Sequence, residues 1–283
     1  MQHPSSTSIS YHRSKNNLFS RTIAQLQNGF SGLVPWLFPI FLVILWQLAV
    51  QFGWLSTRIL PAPTTVISAA IKLAQSGELA TNFKISASRA LTGFAIGGSI
   101  GFIFGLVNGL FRVSEKIFDT TLQMWRNIPN LALIPLVILW FGIGEEAKLF
   151  LVSSGVLFPI YINTFHGIRS IDSGLIEMGK VYGLNPFELF WNIILPGALP
   201  SILVGVRFSL GIMWLSLIVA ETIAADSGIG YMATSAREFM QTDVVVFSIL
   251  LYASFGKLAD VIVRTLEAVC LNWHPNYQKV KAA

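Results

Sequence analysis

Six stretches of about 20 residues, at 33–52, 90–111, 122–142, 149–168, 198–222 and 244–263, are long and apolar enough to cross the roughly 30 Å hydrocarbon layer of a membrane. No water is available there to satisfy a peptide N–H or C=O, so each stretch must close its own backbone hydrogen bonds as a helix. The expected fold is an all-α integral membrane protein with six transmembrane helices. Of the 283 residues 53% are hydrophobic and 12% charged, about half the charged share of a soluble domain. So little charge cannot cover a water-facing surface, which argues against a soluble enzyme, a nucleic-acid binder and a disordered hub. The net charge of +5 is instead the Lys and Arg excess that cytoplasmic loops carry.

That excess also orients the chain. With the N-terminus inside, the inner segments hold Arg13, Lys15, Arg21, Arg112, Lys116, Arg126, Arg169, Lys180, Lys257, Arg264, Lys279 and Lys281. The outer ones hold only Arg58, Lys72, Lys84, Arg89, Lys148 and Arg237, so both termini are expected in the cytoplasm. The basic start resembles a signal peptide, but the apolar run from Leu33 is long enough to span and should stay as an anchor. The expected organisation is a cytoplasmic tail over 1–32, a first helix with an extracytoplasmic connection over 33–80, a core over 81–265 with a cytoplasmic loop at 169–197, and a cytoplasmic tail over 266–283. The connection holds the rigid turn Leu60-Pro61-Ala62-Pro63 and an amphipathic helix over 64–75. Pro129 and Pro135 should kink or break the third span.

Catalytic patterns are weak. Cys270 is the only cysteine, and His3, His12, His166 and His274 are too far apart for a local metal motif. Gly97 to Gly101 fits G-x-S-x-G, but that elbow needs a preceding strand and acid and histidine partners. An intramembrane hydrolase using Ser99 would need a base that the spans do not obviously supply. The same glycines belong to a series, Gly93, Gly97, Gly101, Gly105 and Gly109, that makes a smooth ridge for helix packing. Gly174 to Lys180 fits G-x-x-x-x-G-K, yet Val181 stands where a phosphate loop needs Ser or Thr, and no strand leads into it. Neither catalysis nor nucleotide binding is expected of this chain, and there is no room in it for an ATPase domain.

The loop at 169–197 is more informative. A first helix should start at Asp172 or Ser173, bury Leu175, Ile176 and Met178, and stop at Gly183 in a left-handed cap. Asn185 should cap a second helix, with Pro186 at its first position, Glu188 returning a bond and Leu184 stapled to Leu189. On these features alone, the knob is a stiff connector on the membrane surface. Glu177, Gly183, Ile193, Leu195 and Pro196, however, stand at the spacing E-A-A-x3-G-x9-I-x-L-P, with Met178 and Gly179 in place of the two alanines. This loop resembles that of permease subunits of bacterial ABC importers. Residues 54–63, 126–143, 157–169, 195–223, 227–246 and 256–267 resemble the aliphatic sulfonate branch, whose relatives carry taurine, nitrate or bicarbonate.

The resemblance implies the type I ABC importer permease fold in the bacterial inner membrane, serving sulfonate transport and sulfur acquisition. It implies a homodimer, a cytoplasmic ATPase dimer that docks on the loop, and an extracytoplasmic substrate-binding protein. ATP and magnesium would be bound by that ATPase, with no cofactor in this chain. An ion-coupled carrier working alone is the rival, and it would have no need of the loop.

Arg207 lies about 13 Å into the fifth span at roughly 1.5 Å per residue, near the midplane. Trp214 and Glu221 share its helix face. Arg207 either offsets the charge of an anionic substrate or pairs with another span, and both readings stay open. Glu221, near the outer face, is expected to order a gate or the docked binding protein. Asn130 and Asn163 could donate to substrate, or join helices. These five residues are the candidate translocation pathway. Trp36, Trp54, Trp140 and Trp273 are expected in interfacial belts.

Overall fold

The computed structural model describes residues 36–273, apart from the side chain of Ala224. The tails over 1–32 and 274–283, both termini and the start of the first predicted span lie outside the described residues. Two compact units divide between Thr65 and Val66. In the first, the apolar helix α1 (Trp36–Gln51) ends in a left-handed Gly53, φ 75°. There Trp54 N–H reaches the Ala49 carbonyl at 2.9 Å and Gly53 N–H that of Val50 at 3.1 Å, which satisfies two otherwise orphaned carbonyls. Helix α2 (Pro63–Gln75) begins on the proline of the expected turn, where a missing N–H costs nothing.

The second unit is built on three long helices, α3 (Glu78–Leu110), α6 (Glu145–Arg169) and α9 (Leu195–Ala224). Helix α6 is the centre, packed by α3 on one side and α9 on the other, and the reason is steric. A Cβ on Gly97 would lie 2.1 Å from the Ser153 carbonyl oxygen, and one on Gly101 2.3 Å from that of Leu157. Only glycine lets the two backbones meet so closely, and in a membrane such contact is the main source of helix association. The α9 side uses the same device, since a Cβ on Gly205 would lie 2.8 Å from the Pro159 carbonyl oxygen. Ser153 Oγ donates to Gly93 O at 3.1 Å, Ser201 Oγ to Asn163 O at 2.7 Å and Ser209 Oγ to Val156 O at 3.1 Å, each worth about 0.6 to 2 kcal/mol in a membrane. Ala90, Val152, Val156, Ile160, Met213 and Leu217 fill the core between the three. Ser99 lies on the exposed side of α3.

The third predicted span is not one helix. Residues 112–141 form α4 (Arg112–Arg126), a 3-10 turn (Asn130–Leu133) and α5 (Ile134–Phe141), and the two arms are bent by 87°. Pro129 cannot donate within a continuing helix, whereas Pro135 sits harmlessly in the first turn of α5. The helix starts at Arg112, ten residues before the expected span, because α4 is amphipathic and its charged face reads as loop.

Beyond α9, the short helix α10 (Ile229–Glu238) leads into the long α11 (Thr242–Cys270). Ile229, Met232, Val244, Tyr252 and Phe255 pack these two together. Met240 takes the left-handed turn between them at φ 57°, and its side chain is exposed. Trp36, Trp54, Trp140 and Trp273 are all more than half exposed.

Candidate functional site

The loop after α6 folds as its capping residues require. Helix α7 (Ser173–Val181) is capped by Asp172, whose carboxylate accepts from Gly174 N–H at 2.8 Å. It ends at Gly183, φ 81°, with Leu184 N–H on Gly179 O at 3.1 Å and Gly183 N–H on Lys180 O at 3.0 Å. This pair of bonds is a Schellman closure. One residue later Asn185 and Glu188 exchange reciprocal bonds, each 2.9 Å, to open α8 (Pro186–Leu189). A π-helical turn, Phe190–Ile194, joins α8 to α9. Its widened ring accommodates Pro196, which has no N–H to offer the preceding turn.

The five motif residues divide between two surfaces. Ile193, Leu195 and Pro196 are half-buried, the first two packed with Leu184 and Leu189 against Ile168, Ala198 and Ile202 below the loop. Glu177 and Gly183 face outward, and Glu177 has no hydrogen bond or ion pair among the described residues. Of the three apolar residues expected to be buried, Ile176 is half-buried, but Leu175 and Met178 are each 47% exposed. The cause is Gly179. A Cβ there would lie 2.7 Å from both Ile193 Cδ1 and Leu189 Cδ1, so α7 approaches through its backbone and turns its larger side chains away. Val181, Tyr182 and Phe187 are also well exposed, leaving an apolar surface on the knob around an unpaired carboxylate. The G-x-x-x-x-G-K match runs through α7, a helix and not a phosphate-cradling loop.

The polar residues of the long helices fall into three groups. Arg207 is ion-paired to the buried Glu267 and lies 3.8 Å from Asp260, which also holds Arg264 at 2.9 Å. It thus ties α9 to α11. Trp214 stacks on Phe255 with centroids 4.8 Å apart. Glu221, 1% exposed, accepts from Ser86 Oγ at 2.7 Å, Arg89 at 2.9 Å, Gly230 N–H at 2.9 Å and Tyr252 OH at 3.2 Å. Arg89 also grips Glu145 through two bonds, of 2.7 and 2.6 Å. This knot joins α3, α6, α9, α10 and α11. Removing one partner of such a buried pair costs about 3 to 5 kcal/mol.

Sequence reasoning placed Arg89 in the outer connection and missed the knot. The signal was present, because Arg89 precedes Gly93 by four residues and so lies on the glycine face of α3.

Asn130 and Asn163 come together at a cavity of about 500 Å³ at the break between α4 and α5. The Asn130 amide donates to Leu151 O at 3.1 Å and Ser216 Oγ at 3.2 Å, and its carbonyl accepts from Ser154 Oγ at 2.7 Å. Asn163 donates to Pro159 O at 2.8 Å. Arg207, Trp214 and Glu221 do not line this cavity, whereas Phe208 and Ile212 do.

Long apolar helices meeting through glycines, with a doubly capped helical knob between two of them, define a helical membrane protein with one structured polar loop. Residues 93–268 match the family described as the binding-protein-dependent transport system inner membrane component, and the chain belongs to it. It is 62% identical over 250 residues to the SsuC permease of Escherichia coli K12, named for aliphatic sulfonates transport, covering 88% of this chain and 95% of that one. The protein of the same name from Bacillus subtilis 168 is 43% identical over 86% of this chain and 88% of its own length. The taurine transport permease TauC of Escherichia coli K12 is 31% identical over 84% and 88%. In fold, a solved chain described as an amino acid ABC transporter with histidines aligns at a TM-score of 0.55 over 70% of this chain and 97% of that one, at 13% sequence identity. The protein is therefore an ABC transporter permease of the inner membrane.

Proposed function

We propose that this permease carries aliphatic sulfonates inward through an ATP-driven importer. The observation that carries the substrate class is the 62% identity, spread over 95% of a relative named for that transport. The 31% identity to the taurine permease is half as high. In this reading two copies of the chain form the pathway and an extracytoplasmic binding protein delivers substrate. A cytoplasmic ATPase dimer, holding ATP and magnesium, docks on the loop at 169–197. The chain does no chemistry of its own.

Six crossings would place both termini and both tails in the cytoplasm, with the connection within 33–80 outside and the core over 81–265 around the pathway. Glu177, without a hydrogen bond or ion pair among the described residues, and the exposed Met178, Val181 and Tyr182 support docking at the loop, since an exposed apolar patch marks an interaction surface. Glu177, Gly183, Ile193, Leu195 and Pro196 then act together, the first two toward the ATPase and the last three toward the helices that must move. Energetically the permease is a two-state element, biased by ATP on one side and by the loaded binding protein on the other.

The test is uptake by proteoliposomes holding the permease with its ATPase and binding protein. An alkanesulfonate should be taken up in an ATP-dependent manner and in preference to taurine and nitrate. Uptake without any ATPase would instead identify an ion-coupled carrier.

A further inference from the structure

Arg126 closes the C-terminal end of α4 and lines the 500 Å³ cavity at the break. It is exposed, it is the one charged residue among those lining the cavity, and it has no ion pair among the described residues. Arg89, Arg169, Arg207 and Arg264 have carboxylate partners, whereas Arg126 shares the lack of an ion pair among the described residues with Arg112 and Arg237 and differs from them in lining the cavity. Asn163, on the same cavity, spends one amide N–H on Pro159 O and keeps the other. Asn130, with both ends of its amide engaged, is a rigid wall. The remaining surface is mostly apolar, with the rings of Trp125, Phe158 and Phe208.

With no carboxylate of the described residues on it, this guanidinium is free to pair with an anion that enters the cavity. The volume lies within the range of about 300 to 1,000 Å³ typical of small-molecule sites.

We propose that Arg126 receives the anionic head group of the substrate in this cavity, with Asn163 as a second donor and the aromatic rings against the alkyl tail. This inference rests on the sulfonate reading above. A sulfonate keeps its charge at every physiological pH and presents three oxygens, which suits the planar fork of arginine. Arg207, turned toward α11 and already neutralised by Glu267, is the wrong arginine for that role.

The experiment uses the assembled complex in proteoliposomes with radiolabelled butanesulfonate. Arg126→Gln should lower kcat/KM for uptake by roughly tenfold or more, with ATPase association and stimulation by the loaded binding protein retained. Arg126→Lys should recover part of the loss, which a purely structural arginine would not predict. In a Cys270→Ser background, the thiol of Phe208→Cys should react more slowly with a thiol reagent when butanesulfonate is present. Adding Arg126→Gln should remove that protection.

Wild-type uptake by Arg126→Gln, or a thiol indifferent to butanesulfonate while Arg126 is intact, would overturn the assignment. Should Arg126→Gln fail to assemble, the protection measured with Arg126 intact decides. A wild-type complex that carries no butanesulfonate would overturn the sulfonate reading, and this inference with it.

Discussion

At Gly183 the backbone stands at φ 81° with nothing within 4 Å of where a Cβ would sit. A side chain there meets no clash, and what resists it is the left-handed conformation itself, at about 1 to 2 kcal/mol. Gly183→Val should therefore loosen the Schellman closure and tilt α7 away from α8. Glu177→Lys acts differently. Its carboxylate has no hydrogen bond or ion pair among the described residues, so the subunit should fold normally and the loss should fall on ATPase docking. Both variants should insert in the membrane and lose uptake, and Gly183→Val should also lose stability. Co-purification of the ATPase and stimulated ATP hydrolysis are the measurements. Wild-type values for both variants would reduce the loop to a connector. Gly179 shows why residue type alone was insufficient here: the sequence placed Met178 inward, but the close approach of a backbone at Gly179 turned it out.

Among the elements, α6 carries the bundle because α3 and α9 both reach it through glycine. Gly101→Leu would drive a side chain into the Leu157 carbonyl, 2.3 Å from a Cβ, and backbone cannot yield as a flexible side chain can. Overpacking of this kind costs about 1 to 3 kcal/mol or more, so the variant should unfold at lower temperature in detergent. Ser99→Ala, on the exposed side of the same helix, should change neither Tm nor uptake, and any uptake-independent hydrolysis lost with it would revive the hydrolase reading. The four-residue glycine repeat was legible because it is a property of one helix. The break at Pro129 was legible as well. What periodicity could not show was that α4 extends back to Arg112, since a charged amphipathic face looks like a loop when its partner surfaces are unknown.

For the whole molecule, the Lys and Arg bias predicts that the knob and α10 lie on opposite sides of the membrane. In a Cys270→Ser background, an impermeant thiol reagent applied outside should label Glu238→Cys and spare Lys180→Cys. Both positions are exposed, so differing reactivity reports sidedness and not burial, and labelling in the reverse order would invert the topology. The sequence by itself determined where the long apolar helices lie and where the knob turns. Those properties depend on bilayer thickness, helical period and capping bonds that close within a few residues. Tertiary structure alone decided which charges meet. Arg207 finds Glu267 60 residues away and Arg89 finds Glu221 132 residues away, and no local pattern specifies such pairs. It also set Arg126, with no ion pair among the described residues, beside a cavity, because a cavity is made by the failure of several helices to fill one space, and that belongs to their packing and to no single segment.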